Sequence, residues 1–111
     1  MILYGIPTCD TCKKALKALK ALEAAGRTVA FRDVRAQPLS EAERLRFVAE
    51  FGDEIVNRAS TTWRGLGDFA KAMEPEDQIA AHPTLMKRPV IEAGGRLYLG
   101  WGDEVQAALL K

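Results

Sequence analysis

The sequence predicts an α/β fold in which a strand–helix–strand unit and a later strand–strand–helix unit build one mixed sheet. This fold is predicted by two apolar, β-prone stretches near the N-terminus with a helical pattern between them. Two more such stretches near the C-terminus are followed by a second helical pattern. Roughly fifty residues between the two units carry helical patterns instead. The chain is therefore expected to form a single domain, residues 1–111, with an inserted helical subdomain over approximately residues 36–86.

The first unit is predicted from strand and helix signals in turn. Residues 2–6 are short, apolar and stopped by Pro7, which is typical of a buried strand. Over residues 11–25 apolar side chains recur at three- and four-residue steps between lysines, and Gly26 follows in the position of a C-terminal cap. Residues 28–33, TVAFRD, alternate and begin β-branched, which predicts a second strand. The helix between these strands is long enough for a parallel, right-handed crossover.

The middle of the chain changes to helix. Ser40 and Glu43 have the spacing of a capping box, and Gly52 is expected to end the helix that they begin. The apolar face of this helix is expected to consist of Leu45, Val48 and Ala49. Residues 53–86 indicate short helical pieces, broken by a polar, glycine-containing stretch and by a proline.

The last unit follows directly. Residues 88–100, RPVIEAGGRLYLG, are two apolar runs around a Gly-Gly turn, which predicts a hairpin. Residues 103–110 predict a final short helix. A βαβ unit followed by a ββα unit, with a Cys-x-x-Cys motif at the end of the first strand, is the pattern of the thioredoxin fold.

Composition narrows the functional classes. The chain is 48% hydrophobic and 28% charged, which is ordinary for a globular protein. Its net charge of +1 gives no overall attraction to nucleic acid or to an anionic membrane, so neither is expected as a partner. The N-terminal stretch lacks the basic region of a signal peptide, which favours a cytoplasmic location. In that reducing compartment a close pair of cysteines is usually catalytic or metal-binding.

Both cysteines lie where the first strand gives way to the first helix. Cys9 is at the predicted helix start, where unpaired N–H groups and the helix dipole stabilise an anion, so a reactive thiolate is expected there. Cys12 lies three and four residues before the apolar Ala15 and Leu16, so it is expected to be more buried and more weakly ionised. A nucleophile and its resolving thiol have this asymmetry.

Two other interpretations of the cysteines remain open at this point. In the first, Cys12 is only a small apolar residue of the core. A structural zinc site needs four ligands, whereas the chain offers two cysteines and the single histidine His82, so no metal is expected within one chain.

Three stretches, YGIPTCDTCKKAL, TTWRGL and HPTLMKRPVI, resemble in this order and spacing the arsenate reductase/Spx-like family of thioredoxin-fold proteins. Within that family the chain is similar to the small bacterial YffB-like proteins, which are regarded as glutathione-dependent thiol reductases. The resemblance covers nearly the whole chain. It implies a thiol-dependent reductase that acts on a disulfide or on a small oxyanion such as arsenate. It also implies no bound cofactor, glutathione as co-substrate, and glutaredoxin as a further partner.

The resemblance also implies roles for individual residues. Cys9 falls on the catalytic cysteine of the arsenate reductases, and Cys12 falls where Spx-type proteins carry the second member of a redox switch. Arg64 and Arg88 fall on active-site arginines, which implies that they bind the anionic part of the substrate. Pro89 falls on the cis-proline that faces the cysteine throughout this fold.

One departure from the family pattern bears on the substrate. The arsenate reductases carry a third arginine shortly after the last strand, where this chain has Leu99, Gly100 and Trp101. A compact oxyanion binds best to several arginine forks, so the loss favours a disulfide substrate over arsenate. The alternative function is a Spx-like redox-sensing transcriptional regulator that binds RNA polymerase through its Cys-x-x-Cys switch.

Overall fold

In the computed structural model, which describes residues 1–110, the chain divides into two compact units. The first unit joins residues 1–34 to the C-terminal residues from Arg88 onward, and the second unit is Arg35–Lys87. The strands are β1 (Ile2–Gly5), β2 (Ala30–Asp33), β3 (Val90–Ala93) and β4 (Arg96–Leu99). The α-helices are α1 (Asp10–Lys20), α2 (Glu41–Phe51), α3 (Thr61–Arg64), α4 (Asp68–Lys71), α5 (Pro75–Ala81) and α6 (Asp103–Leu109). Short 3-10 helices cover Ala21–Ala25, Gly52–Ile55 and Pro83–Leu85.

The first unit is built on a four-stranded sheet with the order β2-β1-β3-β4. β1 and β2 run parallel, and β3 runs antiparallel to both of its neighbours. Leu3 in β1 lies opposite Phe31 on one side and Ile91 on the other. Gly94 and Gly95, with φ of 59° and 78°, form the hairpin turn between β3 and β4. The predicted α/β fold with a mixed sheet is therefore confirmed.

The second strand is shorter than the predicted range of residues 28–33. Ile2, the first residue of β1, already pairs with Ala30, so Thr28 and Val29 lie beyond the end of the ladder. The carbonyl of Thr28 instead accepts a hydrogen bond from the N-terminal ammonium group, at 2.8 Å.

Helix α1 packs on the sheet through a buried cluster of side chains. The cluster consists of Leu3, Cys12, Ala15, Leu19, Ile91 and Leu109. Burying one leucine or isoleucine side chain stabilises a folded protein by about 1.5–3 kcal/mol, so these contacts hold the first turns of α1 over the sheet. Beyond α1 and its 3-10 extension, Gly26 adopts the left-handed conformation with φ of 87°, which confirms the predicted C-terminal cap.

The second unit begins its helical segment with the predicted capping box. The amide of Glu43 donates to Oγ of Ser40 at 3.1 Å, and the amide of Ser40 donates to Oε1 of Glu43 at 2.9 Å. The helix ends at Phe51, and Gly52 follows with φ of 59°. Both predicted ends of α2 are confirmed.

The predicted apolar face of α2 is wrong at Leu45 and Ala49, which are exposed, and right at Val48, which is partly buried. Leu45 is 52% exposed, whereas Phe47 is 1% exposed and occupies the core of this unit. The reason is the orientation of α2 toward α5: Nε of Arg44 contacts Oε1 of Glu76 at 2.6 Å. Residues 47 and 48 lie three and four positions after residue 44, so the three residues share one face of the helix. This face packs inward, whereas residues 45 and 49 lie on the outside.

Among residues 1–110, no helix combines the length and the apolar character that crossing a membrane requires. The assignment of residues 36–86 as an insert within one domain stays a prediction.

Candidate active site

A tight turn and a helix start place Cys9. β1 ends at Gly5, and the amide of Cys9 then donates to the carbonyl of Ile6 at 3.2 Å, which closes the turn. Cys9 is the N-cap of α1, with extended backbone angles of −83° and 119°. Its carbonyl accepts the first helical hydrogen bond, from the amide of Lys13 at 3.0 Å. The predicted position of Cys9 at the helix start is confirmed.

The surroundings of Cys9 favour its thiolate. Burial opposes ionisation, but the amide and thiol of Cys12 and the guanidinium of Arg88 outweigh it, so the pKa of Cys9 lies below its usual range. The largest favourable contribution comes from the backbone amide of Cys12, in the first turn of α1, which stabilises the negative charge on the Cys9 sulfur. A partly exposed thiol with a lowered pKa is the form that attacks disulfides.

Cys12 has the opposite character. Its side chain is 1% exposed and belongs to the core cluster under α1. Burial raises the pKa of Cys12 to about 11; a backbone hydrogen bond from Ile6 opposes this rise, and the neighbouring Cys9 adds to it. The expected greater burial of the second thiol is confirmed, and its raised pKa has the expected direction.

A glycine in β1 makes room for the Cys12 sulfur. A Cβ atom added at Gly5 would lie 2.5 Å from Sγ of Cys12, closer than any real contact. Sequence reasoning did not assign Gly5 this role. The signal was a glycine inside a short apolar strand, which often marks a close approach to the backbone.

Arg88 and Pro89 precede β3. The Arg88 guanidinium acts on Cys9 both by a hydrogen bond and by its charge. The Arg88–Pro89 peptide bond is cis, as the resemblance implies. The carbonyl of the buried Pro89 accepts a hydrogen bond from the amide of Gly100 at 2.8 Å, which joins this segment to the residues after β4. The first unit thus brings Cys9, Cys12 and Arg88 together.

Arg64 lies in the second unit, at the end of the short helix α3. Ser60 caps this helix, since the amide of Trp63 donates to Oγ of Ser60 at 3.1 Å. The exposed Arg64 donates from Nη2 to the carbonyl of Ala59 at 3.0 Å. The ring of Trp63 meets the guanidinium of Arg58, with 5.5 Å between Cζ and the ring centroid. The role of Arg64 in the site stays a prediction.

The structure also bears on metal binding. Among residues 1–110, no group of three or more histidine, cysteine, aspartate or glutamate side chains is placed to hold a metal ion. His82 is the C-cap of α5, and its amide donates to the carbonyl of Gln78 at 2.9 Å.

Known proteins resemble this chain over almost its full length. The model of the ArsC family matches residues 4–109. An uncharacterized protein of Haemophilus influenzae is 37% identical over 112 aligned residues, which cover 96% of each chain. A solved structure described as a YffB protein is 36% identical, with a TM-score of 0.86, and the match covers 99% of this chain and 98% of the other.

Two further solved structures carry arsenate reductase descriptions. An arsenate reductase related protein from Brucella melitensis is 31% identical, with a TM-score of 0.70 and coverage of 99% and 93% of the two chains. An arsenate reductase from Vibrio cholerae is 20% identical, with a TM-score of 0.70 and coverage of 98% and 96%, and shows the shared fold. On the family match and these relatives, the chain belongs to the ArsC family and has the thioredoxin-like fold of that family.

Proposed function

We propose that this protein is a thiol-dependent reductase of disulfides, with Cys9 as nucleophile and glutathione as co-substrate. The observation that supports the proposal best is the unlike environment of the two thiols. Cys9 is partly exposed with a lowered pKa beside Arg88, whereas Cys12 is buried with a pKa raised to about 11. The two sulfurs therefore have different tasks in thiol exchange. A reducing cytoplasm, which supplies glutathione, suits this chemistry.

In the proposed reaction, the Cys9 thiolate attacks one sulfur of a disulfide, R–S–S–R′. A bond forms between Cys9 and the R sulfur, and R′–S⁻ leaves and takes up a proton. A glutathione thiolate then attacks the Cys9 sulfur, or the R sulfur, and a second glutathione completes the reduction. The overall change converts the disulfide and two glutathione molecules into R–SH, R′–SH and glutathione disulfide.

The properties of Cys12 favour an external resolving thiol. A thiol with a pKa of about 11 is ionised in roughly one molecule in ten thousand at pH 7. Cys12 is therefore a poor attacking group in the reduced protein, and burial, the main cause of its raised pKa, does not depend on the ionisation of Cys9. We assign Cys12 a protective or secondary resolving role. Arg88 is proposed to bind the anionic part of the substrate, and the same role for Arg64 stays a prediction.

Arsenate is the second substrate that the proposal includes, because the chain belongs to the ArsC family. The absence of an arginine among Leu99, Gly100 and Trp101 leaves fewer donors for a compact oxyanion. We therefore expect turnover of glutathione mixed disulfides to exceed turnover of arsenate.

The test measures turnover of a glutathione mixed disulfide, and separately of arsenate, by the wild type, Cys9→Ser and Cys12→Ser. Cys9→Ser is expected to lose activity, because the serine hydroxyl is not ionised at neutral pH, and Cys12→Ser is expected to keep most of it. Equal rates for the wild type and Cys9→Ser would reject the enzyme. Capture of RNA polymerase that depends on oxidation, without turnover, would instead favour the Spx-like regulator, which relies on the same interacting thiols.

A further inference from the structure

An apolar recess of about 260 Å³ opens beside the start of α1, with Cys12 in its wall. Its wall is made of side chains from the turn after β1, from α1 and from β2: Ile6, Pro7, Cys12, Lys13, Leu16 and Phe31. Five of these residues are apolar or carry sulfur, and Lys13 supplies the one cationic group among them. Leu16 and Phe31 both stay partly exposed around the recess, although they pack against the core cluster.

The recess lies on the helix face that begins at the nucleophile. Cys12, Lys13 and Leu16 lie three, four and seven residues after Cys9, the N-cap of α1, so the four residues share one side of this helix. Ile6 and Pro7 belong to the same turn that carries Cys9. A group bound to the Cys9 sulfur through a disulfide therefore has this recess within one to two helical turns, or about 6–10 Å.

The recess and the arginine lie on opposite sides of β1. Phe31 belongs to β2, whereas Arg88 lies two residues before β3, and these two strands flank β1 in the sheet. A disulfide at Cys9 thus has a cation on one side and an apolar surface on the other. Glutathione is charged and polar along its whole length, and it gains little from an apolar wall.

We propose that the recess is a substrate subsite that binds an apolar chain attached to the sulfur which Cys9 attacks, with a carboxylate at the far end of the chain meeting Lys13. This inference rests on the proposed function, since it concerns the substrate of the same nucleophile. Charge complementarity selects the carboxylate, because Lys13 is exposed and is the cation in the wall. The substrate class is a mixed disulfide of an apolar thiol acid.

The experiment uses three mixed disulfides that share one leaving group, 5-sulfanyl-2-nitrobenzoate. The second thiol is 2-sulfanylethanol, hexane-1-thiol or 6-sulfanylhexanoic acid. In each case the Cys9 thiolate bonds to the variable sulfur and releases the coloured nitrobenzoate thiolate, the leaving group of lower pKa. Rate constants are measured with reduced protein in excess, and each is divided by the rate constant of free N-acetylcysteine with the same probe.

With the wild type, the normalised rate for the hexyl probe is expected to exceed that for the hydroxyethyl probe by about tenfold or more, because methylene groups leave water. The carboxylated chain is expected to gain a further factor of about two to five at low salt, as an exposed ion pair does. Lys13→Gln is expected to lose the gain from the carboxylate and to keep the gain from the hexyl chain. Lys20→Gln, a control at an exposed lysine of the same helix outside the recess, is expected to keep both.

Leu16→Asn is expected to lower the gain from the hexyl chain. Should this variant fail to fold, the comparison of the probes on the wild type decides alone. Equal normalised rates for the hydroxyethyl and hexyl probes would reject the subsite. If the hydroxyethyl probe reacts no faster with the wild type than with Cys9→Ser, Cys9 is not the nucleophile. Failure of the subsite and failure of the proposed function therefore give different results.

Discussion

At the scale of single residues, the lowered pKa of Cys9 depends in part on a cation from a distant part of the chain. Burial works against the thiolate, and Arg88 is one of the groups that overcome it. We expect Arg88→Gln to raise the pKa of Cys9, because both the hydrogen bond and the positive charge weaken. The alkylation rate measured between pH 5 and pH 10 reports this, since the rate rises with the thiolate fraction and then levels off.

The control for this experiment is Arg96→Gln, which removes an exposed arginine that faces Tyr98 rather than the thiols. In the wild type and in this control, the midpoint of the profile is expected below that of an ordinary thiol, about 8.5. A midpoint in Arg88→Gln that stays at the wild-type value would show that Arg88 has no part in activating Cys9.

The sequence revealed some of these residues and concealed others. The position of Cys9 was predictable because a strand end and a helix start are local signals. The charge that acts on Cys9 was not predictable from local signals. The cations nearest in sequence are Lys13 and Lys14, whereas the cation that lowers the pKa of Cys9 is Arg88, which lies just before β3. Only the family resemblance pointed to that arginine.

At the scale of elements, the close approach of α1 to β1 depends on Gly5. Gly5→Ala places a methyl group 2.5 Å from Sγ of Cys12, so the helix or the sulfur must shift. We expect a loss of about 1–3 kcal/mol in the free energy of unfolding, which is typical of overpacking a core. Denaturant unfolding at pH 7 under reducing conditions measures it.

A second background sharpens this prediction. In a Cys12→Ala protein the clashing sulfur is gone, so Gly5→Ala is expected to cost less there than in the wild type. Gly65→Ala is the matched control, because the nearest atom to its added Cβ is 3.6 Å away. Equal losses in the two backgrounds would contradict a specific contact between Gly5 and Cys12.

Elements were predictable where their signals are local. The capping box of Ser40 and Glu43 and the Gly-Gly hairpin depend on neighbouring residues, and the structure has both. The buried face of α2 depends on its packing partner α5, which no local pattern reveals. Phe47 therefore took the place expected for Leu45.

At the scale of the whole molecule, the fold and the chemistry have different origins. The fold follows from patterns spread along the chain, and the ArsC family match over residues 4–109 agrees with them. The chemistry depends on a few side chains, and a shared fold serves many chemistries. Residues 99–101, at the end of β4 and directly after it, illustrate this: they lack the third arginine that the family resemblance implies, while β4 itself is intact.

The burial of Cys12 also links its ionisation to the stability of the whole protein. The pKa of Cys12 is raised to about 11 in the folded state, against about 8.5 for a free thiol. The stability that the protonated Cys12 contributes is therefore fully present below the pKa of the unfolded state. This stability is lost as the pH rises through the pKa of the folded state. The unfolded chain binds fewer protons in this window, so the free energy of unfolding falls with rising pH.

We expect this loss to reach about 2–3 kcal/mol between pH 8.5 and pH 11, at 1.36 kcal/mol for each pKa unit. The measurement compares denaturant unfolding of the wild type and Cys12→Ala across that range under reducing conditions. Lysines and tyrosines titrate in both proteins, so the difference in unfolding free energy reports Cys12 together with its interaction with Cys9. The wild type is expected to lose more stability than Cys12→Ala as the pH rises. Parallel curves would contradict a buried, protonated Cys12, and with it the division of tasks between the two thiols.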